Sequence, residues 1–193
     1  MPINAVIDGG TILFPLAYII GDVVTEVYGF RKAKQLIMIG FAMSILASTT
    51  LYLVQIMPPA TIWEHQAAYE AILGTLPRII IGSLVAYLVG ELLNSFILAK
   101  LKVITNGKYL WVRTIGSTIV GALADTAIFS TIAFLGTIPN TELSKLIIVV
   151  YFIKVVIEII ITPVTYQVVA WLKSVEGIDY FDRDLTVKNS LLD

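Results

Sequence analysis

The chain has 193 residues, of which 58% are hydrophobic and only 14% are charged, and its mean hydropathy is +0.88. Because a soluble globular domain is nearer half apolar and a quarter charged, this composition excludes an ordinary soluble protein. The formal net charge of −1 argues against a nucleic-acid partner. The chain has no cysteine and a single histidine, which excludes thiol chemistry and Cys- or His-rich metal sites. We therefore expect an integral membrane protein that carries no metal and no cofactor.

The apolar residues are gathered in five runs of about 20 residues, the length at which a helix crosses about 30 Å of hydrocarbon. The sequence therefore predicts a single all-α membrane domain, a polytopic helical bundle with five transmembrane helices. A T-x-x-E capping box at Thr61 and Glu64 predicts a short surface helix over 61–74, and a polar tail covers 174–193. The five predicted transmembrane segments are 11–29, 36–57, 79–98, 114–135 and 146–172.

The basic residues of the connecting segments alternate along the chain. The first loop carries three Lys and Arg residues, the third loop four and the tail three, whereas the other two connections carry one each. Because cytoplasmic loops are enriched in Lys and Arg, we expect the first loop, the third loop and the tail to be cytoplasmic. The chain is then a multi-pass protein of the cell's inner (plasma) membrane with a cytoplasmic C-terminus.

Every predicted transmembrane helix except the second carries ionisable side chains at membrane depth. A charged side chain at the bilayer centre costs roughly 2.5–3.5 kcal/mol on insertion scales, so pairing or function must offset that cost. At about 1.5 Å per residue, five of these side chains fall near the midplane, and Glu26 lies nearer the cytoplasmic edge. The five are Asp22, Glu91, Asp125, Lys154 and Glu158.

Two interpretations of these groups follow from the residues alone. In the first, the groups converge on a substrate-binding cavity of donors and acceptors. In the second, they form a structural network, in which Lys154 pairs with Glu158 one turn along its helix. In that network Glu26 reaches toward Arg31 or Lys32 at the membrane edge.

Three sequence runs carry a more specific signal: FPLAYIIGDVVTEVYG at 14–29, WVRTIGSTIVGALADTAIF at 111–129 and YFIKVVIEIIITP at 151–163. With these runs the chain resembles the queuosine-precursor transporter family, also described as vitamin uptake transporters, over nearly its whole length. The resemblance implies six helices with both termini cytoplasmic and import of 7-deazaguanine bases such as preQ0, preQ1 or queuine. It also implies an architecture like the S-components, the substrate-binding subunits of energy-coupling-factor transporters.

The chain departs from the family pattern in two places. The family has a helix before the FP motif, and we expect this chain to lack it. The family's third helix commonly has Gln and then Asp where this chain has Glu91 and Asn94, which moves the acid by one turn on the same face. Trp111 and Arg113 keep the family's W-x-R entry to the fourth helix, although anchoring at the membrane interface is the simplest role for such a Trp.

A deazaguanine suits these residues chemically, because its adjacent N–H donors match a carboxylate and its planar ring suits an aromatic face. The cationic aminomethyl group of preQ1 would also offset the acidic excess. The expected substrate-binding residues are Asp22, Glu91, Asn94, Asp125, Lys154 and Glu158. The secondary candidates are Glu26, Tyr18, Tyr87, Tyr151, Trp111 and Arg113.

Other functions remain as alternatives at this point. One is an S-component-like subunit for a different vitamin, which would need separate ATPase partners. Another is an intramembrane enzyme such as an aspartyl protease, although Asp22 and Asp125 lack the G-x-G-D context of such enzymes. The expected partners are the small-molecule substrate and the lipid bilayer, and either a homo-oligomer or an energy-coupling partner is compatible with the sequence.

Overall fold

The computed structural model describes residues 14–73 and 76–186, and the described residues form six helices and no β-strand. Four helices (α2, α4, α5 and α6) are long and apolar enough to cross a membrane. The described part of α1 has 15 residues, or about 22 Å of helix. The predicted class, a polytopic all-α membrane protein, is confirmed. The helices are α1 (Phe14–Tyr28), α2 (Phe30–Ile56), α3 (Gln66–Leu73), α4 (Leu76–Ile104), α5 (Leu110–Phe134) and α6 (Asn140–Glu176).

The bundle is apolar on its outer surface and polar in its interior. Helix α6 illustrates the pattern, because Phe152 and Ile160 are 60% and 70% exposed whereas Lys154 and Glu158 are 8% and 2% exposed. In a membrane protein, ionisable side chains face the bundle interior and apolar ones face the lipid. The exposed residues are therefore covered by the bilayer.

Five helices pack around the bundle in the order α1, α6, α5, α4, α2, and α1 also packs against α4. The short helix α3 packs against α2. One end of the bundle collects the C-termini of α1, α4 and α6 together with the N-termini of α2 and α5. We call it the tail end and the opposite end the far end. The three connections that are rich in Lys and Arg all lie at the tail end.

The closest helix contact lies between α4 and α5, where two glycines face each other's helix. A Cβ atom added to Gly90 would lie 2.6 Å from the Cβ of Asp125, and one added to Gly121 would lie 2.8 Å from the Cβ of Asn94. Only glycine allows this approach, as in other close-packed membrane helices. The contact holds Asn94 and Asp125 next to each other on neighbouring helices.

Three helix starts differ from the sequence predictions by five or six residues. Helix α2 begins at Phe30 rather than at 36, directly after Gly29, whose φ of +87° changes the chain direction between α1 and α2. Helix α6 begins at Asn140 rather than at 146. The capping box at Thr61 and Glu64 does not start a helix, because residues 61–62 form a turn and α3 begins at Gln66. A local capping pattern is satisfied equally well by a turn.

The residues after α6 return to the bundle instead of leaving it. The predicted tail was to start at 174, but α6 continues to Glu176 and passes through Pro163 without ending. Residues 177–186, which we call the tail segment, then fold back over the tail end of the bundle. The Tyr180 amide donates to the Val27 carbonyl at 3.1 Å, and the Phe30 amide donates to Oδ2 of Asp182 at 2.9 Å.

Candidate functional site

The six expected substrate-binding side chains come from α1, α4, α5 and α6 and lie in the interior of the bundle. Asn94 donates to Oδ1 of Asp22 at 2.8 Å, and an added Cβ at Gly21 would lie 3.2 Å from Oε2 of Glu91. Four of the acids lie close enough to the Tyr18 hydroxyl to interact with it electrostatically. We call this group the central cluster, and its members are Asp22, Glu91, Asn94, Asp125, Lys154 and Glu158.

The single cation of the central cluster pairs across helices. Lys154 on α6 forms an ion pair with Oδ2 of Asp125 on α5. The structural interpretation of the sequence considered only a Lys154–Glu158 pair, because the i,i+4 rule compares positions along one helix. The lysine side chain is also long enough to reach the neighbouring helix. The geometry brings both residues into one pair.

Two polar atoms of the central cluster are buried without a hydrogen-bond partner among the described residues. They are Oδ2 of Asp22 and Oδ1 of Asn94, the outer atoms of the pair that these two side chains form. A buried acceptor that lacks a donor costs about 1–3 kcal/mol. The two atoms are therefore available to N–H groups of a ligand.

Two further carboxylates complete the acidic surface. Glu91 on α4 and Glu158 on α6 are 7% and 2% exposed, and Glu91 lies near enough to the Lys154 ammonium to interact with it electrostatically. The central cluster thus has four carboxyl groups around the ammonium group of Lys154. This arrangement can accept several hydrogen bonds from a ligand and can hold a positive charge.

The three tyrosines on the sequence's polar stripes divide between two places. Tyr18 is buried, and Tyr151 packs against it together with Ala122. Both rings therefore border the central cluster. The hydroxyl of Tyr87 instead lies 3.4 Å from the Ile37 carbonyl of α2, at the contact between α2 and α4.

Glu26 and Arg113 form a second site, at the tail end of the bundle. Glu26 is fully buried and accepts two hydrogen bonds from the Arg113 guanidinium, at 2.9 and 3.0 Å, and one from Lys173 at 2.8 Å. The predicted pairing of Glu26 with Arg31 or Lys32 is wrong, because both of these side chains are exposed on the first turn of α2. Helix α2 turns away from α1 at Gly29, which carries them outward.

This second site also contains Lys102, Lys173 and Asp179. The sequence analysis did not predict them, because it counted each one as a charge of a loop or of the tail. Lys102 is 1% exposed and lies 3.7 Å from Oε1 of Glu26. One signal was present: Glu91, Ser95 and Lys102 recur at spacings that place them on one face of α4. Trp111, by contrast, is 52% exposed on the outer surface.

The described residues contain no group of three or more His, Asp and Glu side chains arranged to hold a metal ion.

Comparison with known proteins places these features in a family. Residues 8–168 match the family model described as "Putative vitamin uptake transporter". A Bacillus subtilis protein described as "Probable queuosine precursor transporter" is 31% identical over 158 residues, which cover 81% of this chain and 69% of that protein. A Haemophilus influenzae protein with the same description is 26% identical over 125 residues, 65% of this chain and 51% of its own length. The chain thus spans about half of this second relative, and no solved structure matches it.

Proposed function

Because the chain belongs to the vitamin uptake transporter family, we propose that it imports queuosine precursors, 7-deazaguanine bases such as preQ0 and preQ1, across the plasma membrane. The family is one of membrane transporters, so the chain is a transporter and not an enzyme. The observation that carries the proposal is the central cluster with its buried, unpartnered acceptors. The two relatives described as queuosine precursor transporters support the choice of substrate.

The chemistry of the base matches the acceptors of the central cluster. A guanine-like edge has adjacent N–H donors that a single carboxylate accepts in a bidentate pair, and charge-assisted bonds of this kind are about twice as strong as neutral ones. Asp22 has one free buried oxygen, and the Glu91 carboxyl group lies beside Gly21 of α1, the residue before Asp22. Tyr18 and Tyr151 would border the flat ring. In this arrangement Lys154 donates to the carbonyl of the base.

The charge of the central cluster favours a cationic substrate within this class. Four carboxyl groups surround one ammonium group, and a low dielectric would not tolerate so large an uncompensated charge. The protonated aminomethyl group of preQ1 would bind beside Glu158 or Glu91, whose side chains belong to residues that are only 2% and 7% exposed. The neutral nitrile of preQ0 would bring no such compensation, so preQ1 is expected to bind more tightly.

The orientation follows from the basic residues at the tail end. The first loop, the third loop and the tail carry three, four and three Lys and Arg residues, and all three lie at one end of the bundle. By the positive-inside rule this end faces the cytoplasm. The short helix α3 and the exposed Trp63 that precedes it then lie at the outer surface, where an interfacial aromatic residue is favourable.

The test is uptake of labelled preQ1 and preQ0 by cells that cannot make queuosine and lack their own importer. The wild-type chain should restore uptake, and Glu158→Gln should lower it about tenfold or more, because a hydrogen bond to a charged group contributes about 1.5–3 kcal/mol. Glu142→Gln, on an exposed turn of the same helix, is the matched control and should leave uptake unchanged. If the wild-type chain is present in the membrane and takes up neither base, the proposed substrate class is wrong.

A further inference from the structure

The second site, at the tail end, closes the bundle with side chains from all four helices that carry the central cluster. We call it the ion cluster. Glu26 comes from α1, Lys102 from α4, Arg113 from α5 and Lys173 from α6. The Arg113 guanidinium also donates to Oγ1 of Thr105 at 3.1 Å and to the Lys108 carbonyl at 2.5 Å, so four of its five N–H groups are bonded. Four helices therefore converge on one buried carboxylate.

The tail segment covers this cluster from outside. The Lys102 ammonium donates to Oδ1 of Asp179 at 2.5 Å and to the Tyr180 carbonyl at 2.7 Å, and it lies 4.5 Å from the centre of the Phe181 ring. Lys173 binds the same Asp179 oxygen at 2.8 Å. Asp179 thus holds together two lysines that would otherwise repel each other beside Glu26.

The ion cluster is closed at its centre. The side chains of Glu26, Lys102 and Arg113 are only 1–2% exposed. Lys173 and Asp179, at the edge of the cluster, are 24% and 46% exposed. The exposed side of the ion cluster is therefore the side that contacts the tail segment.

We propose that the ion cluster and the tail segment together form the closed cytoplasmic gate of the transport path, and that Asp179 holds the gate shut. This inference rests on the proposed orientation of the bundle but not on the identity of the substrate. A substrate that leaves the central cluster for the cytoplasm must pass the meeting point of α1, α4, α5 and α6. The tail segment is the cover that has to detach first.

The charges of the gate explain why Asp179 is its weak point. In direct ion pairs, three cations (Lys102, Arg113 and Lys173) face two anions (Glu26 and Asp179), and Asp182 lies near enough to Lys102 to interact with it electrostatically. Without Asp179, three positive charges remain in direct contact with a single carboxylate, which favours separation of the helices that bear them. Asp179 is also the exposed member, because its side chain is 46% exposed whereas that of Glu26 is 1% exposed.

The gate should remain charged at cytoplasmic pH. Burial alone would raise the pKa of Asp179, but the hydrogen bonds from Lys102 and Lys173 outweigh it and hold the pKa below its usual range. A carboxyl group with a lowered pKa stabilises the closed form above its usual pKa, and this contribution is lost only as the pH falls through the lowered value. Opening between pH 5 and 8 therefore requires displacement of the tail segment and not protonation of Asp179.

The gate can be tested by cysteine labelling, because the natural chain contains no cysteine. Ser117 is fully buried one turn above Arg113, on the side toward Asp125. Ser117→Cys is introduced alone and with Asp179→Ala, and a membrane-impermeant maleimide is added to the cytoplasmic face of inside-out vesicles. We expect labelling about fivefold faster or more in the double variant, because release of the tail segment admits water to this level.

The control is Ser130→Cys, a buried serine of the same helix nearer the far end, whose labelling should change by less than about twofold. Tyr180→Ala, which removes the ring that packs on Gly29, is a second variant and should accelerate labelling at 117 in the same way. Unchanged labelling at 117 in both variants would overturn the gate. Equal acceleration at 117 and 130 would also overturn it, because Asp179 would then merely stabilise the whole fold.

Discussion

At the scale of single residues, the central cluster is organised by two polar pairs that join different helices. Asn94 binds Asp22 at 2.8 Å, and Lys154 binds Asp125. The sequence predicted Asp22, Asp125 and Lys154 from their depth in apolar segments, since an ionisable group at that depth must be offset by pairing or function. Asn94 was predicted from its place beside Glu91 in the third predicted helix. It could not predict their partners, because the rotation of each helix about its axis is set by packing between helices. Local spacing pointed to Glu158 as the partner of Lys154 instead.

The Lys154–Asp125 pair gives the first prediction. Asp125→Asn keeps the shape and should fold normally, but it should lower uptake about tenfold because a charged acceptor is lost. Lys154→Met leaves a largely buried carboxylate without its cation and should destabilise the protein by about 3 kcal/mol. The double variant should recover most of this stability and remain inactive. Thermal unfolding in detergent and uptake per folded protein measure the two effects.

Lys145→Met is the matched control for this experiment. Lys145 pairs with Glu142 at 2.8 Å on the exposed far end of α6, and such surface pairs contribute only about 0–1 kcal/mol. Normal uptake by Asp125→Asn would remove Asp125 from the proposed binding site. A double variant no more stable than Lys154→Met would show that the two side chains do not depend on each other.

At the scale of helices, the α4–α5 contact is what fixes the geometry of the central cluster. The sequence indicated small residues on these helices but could not predict that Gly90 faces Asp125 and Gly121 faces Asn94. It predicted the long helices well, because about 20 apolar residues leave few alternatives. The starts of α2, α3 and α6 were less well predicted. Helix α2 begins directly after α1 because Gly29 permits the change of direction, and Thr61 lies in a turn instead of starting α3.

The second prediction concerns Gly90. Gly90→Ala places a methyl group 2.6 Å from the Cβ of Asp125, so α4 and α5 must separate at a cost of about 1–3 kcal/mol. Uptake should fall as well, because the separation displaces Asp125 from the other acids. Gly116→Ala on α5 is the control, since its methyl group meets only the flexible end of Leu101 at 3.1 Å. Equal stability and uptake of the two variants would show that the close contact is not required.

At the scale of the whole molecule, the distribution of charge assigns the two ends of the bundle to the two sides of the membrane. The membrane class and the clustering of basic loops were predictable from composition and periodicity, and four of the five predicted transmembrane helices are long enough to span a membrane among the described residues. The return of the tail segment to the bundle was not predictable, because it depends on Lys102. This lysine is buried, although the sequence places it among the basic residues of a loop. A residue's position in the chain did not indicate whether it would be buried.

Orientation is the third prediction. Ile62 is 90% exposed near the far end, and Tyr109 is 65% exposed at the tail end. Single cysteines at these two positions should react with an impermeant maleimide from opposite sides, position 62 from outside intact cells and position 109 only in inside-out vesicles. The positive-inside rule requires this result. The reverse pattern would place the tail segment and the proposed gate outside the cell.

The glycine contact between α4 and α5 has a further consequence for selectivity. It holds α4 and α5 together as one half of the bundle, which carries Glu91, Asn94 and Asp125. Asp22 on α1 and Lys154 on α6 belong to the other half. Both polar pairs cross the boundary between these two halves, so separating the halves breaks two strong bonds together. A substrate that enters between the two halves has to replace both bonds. A substrate that is too small would leave one side chain of each broken pair without a partner. In the proposed binding site, the distance between the two polar pairs would therefore select substrates whose two polar ends are the same distance apart.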